Sequence, residues 1–324
     1  MTRRDWLTAA SAAAFVTACS PEAEPPPEPA PVEADALQGR IIDAHVHVWT
    51  PNIEAFPLPE GRKPEQMKPP SFTPIELFAH CKPLGVERIN LIQMSFYEMD
   101  HSYMLDAIER FPTNFAGTGL LLNATDEGAH PEKTMLELAS QRVYAFRLGG
   151  GHYSKDGAGQ WMDHPNFDAI YQTGAEHNLA PSFLVGPEHL PEIGRMSAKY
   201  PETPVIIDHI ARLGAGGTTP DPAQVQALCD LAKHPQILLK IGAFYALSAE
   251  GPPYTDLLPL IERVVGAFGP DRCMWESDCP YQVQPPHTYA ASLALIRERA
   301  DFLSASDKEE ILVRTAERFF FERG

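Results

Sequence analysis

Two histidines with one residue between them close an apolar stretch in Ile41-Ile42-Asp43-Ala44-His45-Val46-His47-Val48. Side chains alternate along an extended strand, so Asp43, His45 and His47 are expected on one face. Two imidazoles at that spacing can chelate one divalent ion or hydrogen-bond a substrate carbonyl. Three other apolar runs also end in polar groups. Val205-Ile206-Ile207-Asp208-His209-Ile210-Ala211-Arg212 ends at His209 with Arg212 just beyond, and Met274-Trp275-Glu276-Ser277-Asp278-Cys279-Pro280 ends at Asp278. Tyr144-Ala145-Phe146-Arg147-Leu148 places Arg147 ahead of Gly149-Gly150-Gly151, where the backbone can approach closely. Carboxylate, imidazole and guanidinium are together the groups that activate water, polarise a carbonyl and hold an anion.

The elements that carry these groups alternate. Strands are expected over 40–48, 88–94, 116–122, 143–148, 180–185, 204–209, 236–241 and 272–276. Between them amphipathic patterns predict helices over 74–83, 103–111, 132–140, 167–177, 187–200, 223–233 and 256–268, with closing helices over 288–299 and 306–321. Most strands are continuously apolar, as parallel strands covered on both faces must be. The pattern predicts an α/β fold, a (β/α)8 TIM barrel over residues 37–324, with the polar strand ends gathered at its catalytic face. An open doubly wound sheet is the competing fold, but its first strand should lead into a glycine-rich phosphate loop rather than into histidines.

Further candidates follow the strands: His152 after the glycine run, Tyr245 after strand seven and Tyr281 after Asp278, all as substrate contacts. Alternation leaves the direction of Lys240 open. Asp208 could also cap the next element, and Glu276 could serve as an acceptor for a neighbouring site residue. His80, His130, His164, His177, His234 and His287 lack partner spacing, and most are expected at the surface.

The first 36 residues read differently. Arg3 and Arg4, a small-residue apolar run and then Val16-Thr17-Ala18-Cys19 resemble a twin-arginine, lipoprotein-type export signal over 1–19, with Cys19 as the lipidated residue. Residues 20–36 carry six prolines and five acids, a composition that predicts a disordered linker. The expected location is the periplasmic side of a bacterial membrane, lipid-anchored at Cys19, or soluble in the periplasm without the lipid. The apolar run is too short for a permanent transmembrane helix, which needs about 20 residues. With 43 acids against 26 Lys and Arg, the chain has no basic stripe and is not a nucleic-acid binder. The remaining cysteines, Cys81, Cys229, Cys273 and Cys279, lie in apolar contexts and are expected as buried free thiols, with Cys273 and Cys279 the pair whose redox state stays open.

The three motifs at strands one, six and eight, Asp43-Ala44-His45-Val46-His47, Asp208-His209-Ile210-Ala211-Arg212 and Glu276-Ser277-Asp278-Cys279-Pro280, resemble the amidohydrolase superfamily. The resemblance covers residues 40–324 and lies in the amidohydrolase-related branch of TIM-barrel hydrolases, lactonases and decarboxylases. A weaker echo is Asp100-His101-Ser102-Tyr103. The subgroup it resembles is that of sugar-lactone and pyrone-dicarboxylate lactonases. It implies Asp278 as general base, His45, His47 and His209 as groups that polarise the carbonyl, and Arg147 and Arg212 as groups that orient an anionic or polyhydroxylated lactone. Strand five has no histidine and strand four supplies Arg147, so the resemblance implies no binuclear centre. One divalent ion, Zn for preference, on His45, His47 and Asp278 and a metal-free site both stay open. Two alternatives also stay open: a metal-dependent non-oxidative decarboxylase on the same barrel, and a non-catalytic binding lipoprotein.

Overall fold

The computed structural model describes residues 40–323. The export signal, Cys19 and the linker expected over 1–36 lie outside the described residues. Eight strands form one parallel sheet in sequential order: β1 (Ile41–Val46), β2 (Val86–Ile92), β3 (Phe115–Leu120), β4 (Val143–Gly149), β5 (Ala180–Leu184), β6 (Val205–Ile207), β7 (Ile237–Ile241) and β8 (Cys273–Trp275). The sheet closes on itself beyond β8. Val46 bridges Cys279 in parallel, His47 N–H donates to the Cys279 carbonyl at 2.8 Å, and Asp278 N–H donates to the His45 carbonyl at 3.0 Å. The expected eight-stranded TIM barrel is therefore the observed fold.

Helices α1 (Pro74–Cys81), α2 (Ser102–Arg110) and α3 (Pro131–Ala139) follow the first three strands. A short α4 (Gly150–Tyr153) precedes α5 (Pro165–His177), and α6 (Leu190–Lys199) and α7 (Pro222–Asp230) follow β5 and β6. After β7 come a short α8 (Phe244–Leu247) and α9 (Leu258–Phe268), and after β8 come α10 (Tyr289–Ala294), α11 (Ala305–Glu309) and α12 (Thr315–Phe320). Proline at the first turn of α1, α3, α5 and α7 fits positions whose N–H needs no helical partner. Gly150, at the start of α4, is fully packed: a Cβ there would lie 2.7 Å from the His189 ring and 2.8 Å from Val185.

The barrel interior is narrow at its N-terminal end, where Ile42, Ala44, Ala116, Ala145, Ala180, Ile206 and Met274 meet Phe319 and Phe320 of α12. The alanines leave room for the two phenyl rings, each worth about 1.5–3 kcal/mol on burial. That plug closes the bottom, and the polar groups lie above it. Among the described residues no helix is long and apolar enough to cross a membrane. Cys81, Cys229, Cys273 and Cys279 are free and buried, as expected.

Candidate active site

Strand β1 does not keep its alternation. Asp43 pairs with Ile89 and Val46 with Leu91, so three steps on β1 match two on β2, a β-bulge that carries one extra residue. Asp43 is thereby turned away from the histidines, contrary to the expectation of one shared face. Its Oδ1 accepts from the N–H groups of His45 and Ser277 at 3.1 and 2.9 Å, and its Oδ2 from the Tyr289 hydroxyl at 2.6 Å. Burial pushes this carboxyl up to about 7 against the pull of those bonds. Asp43 ties β1 to the segment after β8 and so fixes the two backbones that carry His45 and Asp278.

His45 is fully buried at the centre of a charged cluster. Arg147 Nη2 lies 2.7 Å from its Nε2. A guanidinium only donates, so Nε2 is the acceptor and the ring proton sits on Nδ1, 3.0 Å from Glu276 Oε2. Burial, with Lys240 and Arg147 nearby, pushes the His45 imidazole down to about 4. Asp208, also fully buried, is held by Lys240 at 3.0 Å, Arg147 at 3.2 Å and the Ser182 hydroxyl at 3.2 Å. Burial raises its carboxyl, but the two cations outweigh that and hold it well below the usual range.

His209 donates from Nδ1 to Glu276 Oε1 at 2.6 Å, and its backbone N–H reaches the same oxygen at 3.2 Å. Burial opposes the imidazolium, yet Glu276 and Asp278 together raise the His209 pKa above its ordinary 6.5. The turn that presents it is unusual. His209, Ile210, Ala211 and Arg212 have φ of 54°, 50°, 51° and 58°, a left-handed run of four non-glycine residues. Such a conformation costs roughly 1–2 kcal/mol per residue, and strain of this kind gathers where side chains must be aimed. The fully buried Ile210 and Ala211 anchor the turn, while Arg212 is exposed at the pocket wall with no ion pair among the described residues.

Asp278, with φ of 60°, hangs between these groups. Tyr245 donates to its Oδ2 at 2.8 Å. Its Oδ1 is buried with no hydrogen-bond donor, 3.3 Å from His47 Nε2 and 3.6 Å from His45 Nε2. His47 donates from Nδ1 to the Ile92 carbonyl at 3.0 Å, which leaves Nε2 as a lone pair. Burial raises the Asp278 carboxyl, but His209, His47 and His45 more than reverse this and hold it well below the usual carboxylate range. The cluster forms the floor of a pocket of about 520 Å³. Tyr281 and Tyr245 line that pocket with rings 6.1 Å apart, and His152 lines it with Nε2 donating to the Leu122 carbonyl at 2.8 Å.

His45, His47, His209, Asp278 and Arg147 are thus brought together, and Arg212, His152, Tyr245 and Tyr281 all reach the pocket. His101 does not. It accepts from the Leu120 N–H at 2.9 Å, a structural contact. Sequence reasoning left Lys240 undecided, although the structure buries it completely against Asp208 and His45. A lysine inside an otherwise apolar strand, Ile237-Leu238-Leu239-Lys240-Ile241, was the available signal.

The donor set fits one divalent ion. Bonds of about 2.0–2.1 Å in a tetrahedron place ligand atoms about 3.3–3.4 Å apart, and the Nε2 atoms of His45 and His47 lie 3.3 Å apart with Asp278 Oδ1 at 3.6 and 3.3 Å. The unpartnered Oδ1 and the His47 Nε2 lone pair lie beside His45 Nε2, which accepts from Arg147, and the three atoms are close enough to share one ion. His45, His209 and Glu276 form a second group of possible ligands that shares His45.

An amidohydrolase family model matches residues 42–321. The chain is 29% identical over 290 residues to an L-fucono-1,5-lactonase of Burkholderia ambifaria, covering 86% of this chain and 94% of that protein. It is 26% identical over 240 residues to a 4-sulfomuconolactone hydrolase of Rhizobium radiobacter, covering 74% and 75%. A solved amidohydrolase from Burkholderia multivorans with bound zinc has the same fold, with a TM-score of 0.69 at 19% identity over 87% of this chain and 99% of that one. The family match spans nearly the whole barrel and includes every strand end that builds the pocket floor: the chain belongs to the amidohydrolase family.

Proposed function

We propose that this protein is a lactone hydrolase that opens a cyclic ester by attack of a water activated by Asp278. The observation that carries the reading is the unpartnered Asp278 Oδ1 at the pocket floor beside two acceptor imidazoles, and the lactone-acting relatives support it. The protonated His209 Nε2 and the Arg147 guanidinium donate to the lactone carbonyl oxygen, where negative charge gathers as the tetrahedral intermediate forms. Asp278 takes the proton of the attacking water and returns it to the ring oxygen as the acyl–oxygen bond breaks. Lactone and water become a hydroxy acid, with no other reactant required. Tyr245 holds Asp278 in one orientation throughout.

A divalent ion, zinc for preference, on His45, His47 and Asp278 would polarise the carbonyl and acidify the attacking water. Arg147 would then give up its bond to His45 Nε2, keep its pairing with Asp208, and turn its remaining N–H groups to the substrate. The N-terminal sequence adds the proposal that the enzyme is exported and lipid-anchored through Cys19. Cys19→Ser should release it from the membrane fraction, and Arg3→Lys with Arg4→Lys should block its export.

The test is a panel of lactones and of hydroxylated aromatic acids, followed by acid release and by carbon dioxide release. Acid release from a lactone supports the reading. Carbon dioxide from an aromatic acid, with every lactone untouched, would replace it with decarboxylation.

A further inference from the structure

Gln93 is the first residue after β2, and the loop that follows folds back over it. Its backbone N–H continues the sheet by donating to the Thr118 carbonyl at 2.9 Å. A short 3-10 turn over Ser95–Tyr97 then reverses the chain, and Glu98 follows with φ of 50°. The reversal aims two main-chain carbonyls at the Gln93 amide: Nε2 donates to the Glu98 oxygen at 3.1 Å and to the Asp100 oxygen at 2.7 Å. A primary amide has two N–H groups and one carbonyl oxygen, so these partners use every side-chain donor of Gln93 and fix which end of the amide is which. The group left to the pocket is Oε1, an acceptor without a partner among the described residues, on a side chain that is 2% exposed and lines the cavity.

The position is close to the chemistry. Ile92, one residue earlier, supplies the carbonyl that accepts from His47 Nδ1 at 3.0 Å, and His47 Nε2 lies 3.3 Å from Asp278 Oδ1. Other polar groups of the wall are less selective. The Ser95 and Tyr281 hydroxyls can rotate to donate or to accept, and Arg212 only donates. His152 Nδ1 and the Tyr245 oxygen also accept, but His152 is exposed at the rim and the Tyr245 oxygen sits against Asp278. Resting on the lactonase reading, we infer that Gln93 is a specificity-determining residue whose Oε1 accepts a hydrogen bond from one hydroxyl of the lactone as the ring settles over Asp278. A group that can only accept gains nothing from a lactone without a hydroxyl at that place, and it is left dehydrated and unpaired beneath such a ring. This is the circumstance in which a hydrogen-bonding site discriminates most strongly. The choice made at Gln93 is separate from the charge of the arginines and from the groups that break the ester.

The experiment measures kcat/KM of the purified full chain for the hydroxylated δ-lactone that it opens fastest, and for that lactone with each hydroxyl in turn replaced by hydrogen or by fluorine. In wild type, removing one particular hydroxyl should lower kcat/KM by about 10–100-fold. Fluorine at the same place should restore nothing, because it cannot donate. Two variants remove the acceptor: Gln93→Met, and Gln93→Lys, which keeps N–H donors for the Glu98 and Asp100 carbonyls. The readout is the ratio of parent to deoxy kcat/KM within one protein, which a general loss of activity leaves unmoved. That ratio should fall to near one in both variants at the one position, with the ratios at the other hydroxyls retained. A wild-type ratio kept by both variants would make Gln93 a tie of its loop and overturn the inference, as would a fluorine that replaces the hydroxyl without loss. A wild type that opens lactones with no dependence on any hydroxyl would overturn it and leave the lactonase reading standing. No opening of any lactone, with carbon dioxide released from aromatic acids, would overturn both.

Discussion

Tyr245 donates its phenolic O–H to Asp278 Oδ2 at 2.8 Å, so that Oδ1 is the oxygen left facing His45 and His47. A hydrogen bond to a charged group contributes about 1.5–3 kcal/mol, and here it selects which oxygen is free to take a proton. Tyr245→Phe should lower kcat by about 10–100-fold when assayed below its thermal midpoint, where the chain is fully folded. Steady-state kinetics check this, and an unaltered kcat would show that Tyr245 does not position the carboxylate.

The pH dependence has two sources. Asp278, held well below the usual carboxylate range, should remain ionised through weakly acidic solution and give no activity limb near pH 4. His209, raised above 6.5, should lose its proton on the alkaline side and take kcat/KM down there. Glu276→Gln removes the first charge that raises His209 and should move that alkaline limb to lower pH. Stability responds elsewhere: burial pushes His101 down to about 4, so the unfolded chain binds more protons between about pH 4 and 6.5. The stability that neutral His101 contributes is present above 6.5 and lost as pH falls toward 4. His101→Gln should flatten that part of a urea-midpoint profile.

Metal should act through the three convergent donor atoms. Zinc added to chelator-treated protein should raise the thermal midpoint, by about 2.7 kcal/mol of stability at a hundredfold excess over Kd. His47→Gln should abolish the shift. A midpoint indifferent to zinc in wild type, with full lactone opening after chelation, would assign the site to metal-free catalysis by His209 and Arg147.

Lys240 and Asp208 form a fully buried ion pair at 3.0 Å. Lys240→Met leaves Asp208 with Arg147, Ser182 and the His45 ring, and breaking a buried pair costs about 3–5 kcal/mol. Adding Asp208→Asn should recover part of the loss, because the two groups are coupled. Denaturant titration of the single and double variants measures this. Equal and additive losses would mean that the pair has no special coupling.

Much of this was legible in the sequence because apolar runs ending in His45, His47, His209, Asp278 and Arg147 announce both strand identity and strand polarity. All eight strands and the barrel followed from that periodicity. Asp43 was misplaced because a bulge breaks strand alternation, and nothing in Ile41-Ile42-Asp43-Ala44 marks one. Lys240 stayed undecided because a strand buried on both faces gives no inside-outside pattern to read. The left-handed run at His209–Arg212 was invisible for a different reason: Ile and Ala carry no local preference for it, and only packing around Ile210 and Ala211 holds it.

The central claim is that Asp278 is the base that opens a lactone. Acid release by purified wild type and Asp278→Asn, followed by pH-stat on the same lactone, tests it most directly. The account predicts acid release by wild type and a fall of about 10²–10⁴-fold in kcat for Asp278→Asn, with the thermal midpoint of the metal-stripped protein and affinity for the hydroxy-acid product retained. Undiminished turnover by Asp278→Asn, or a wild type that opens no lactone, would contradict it.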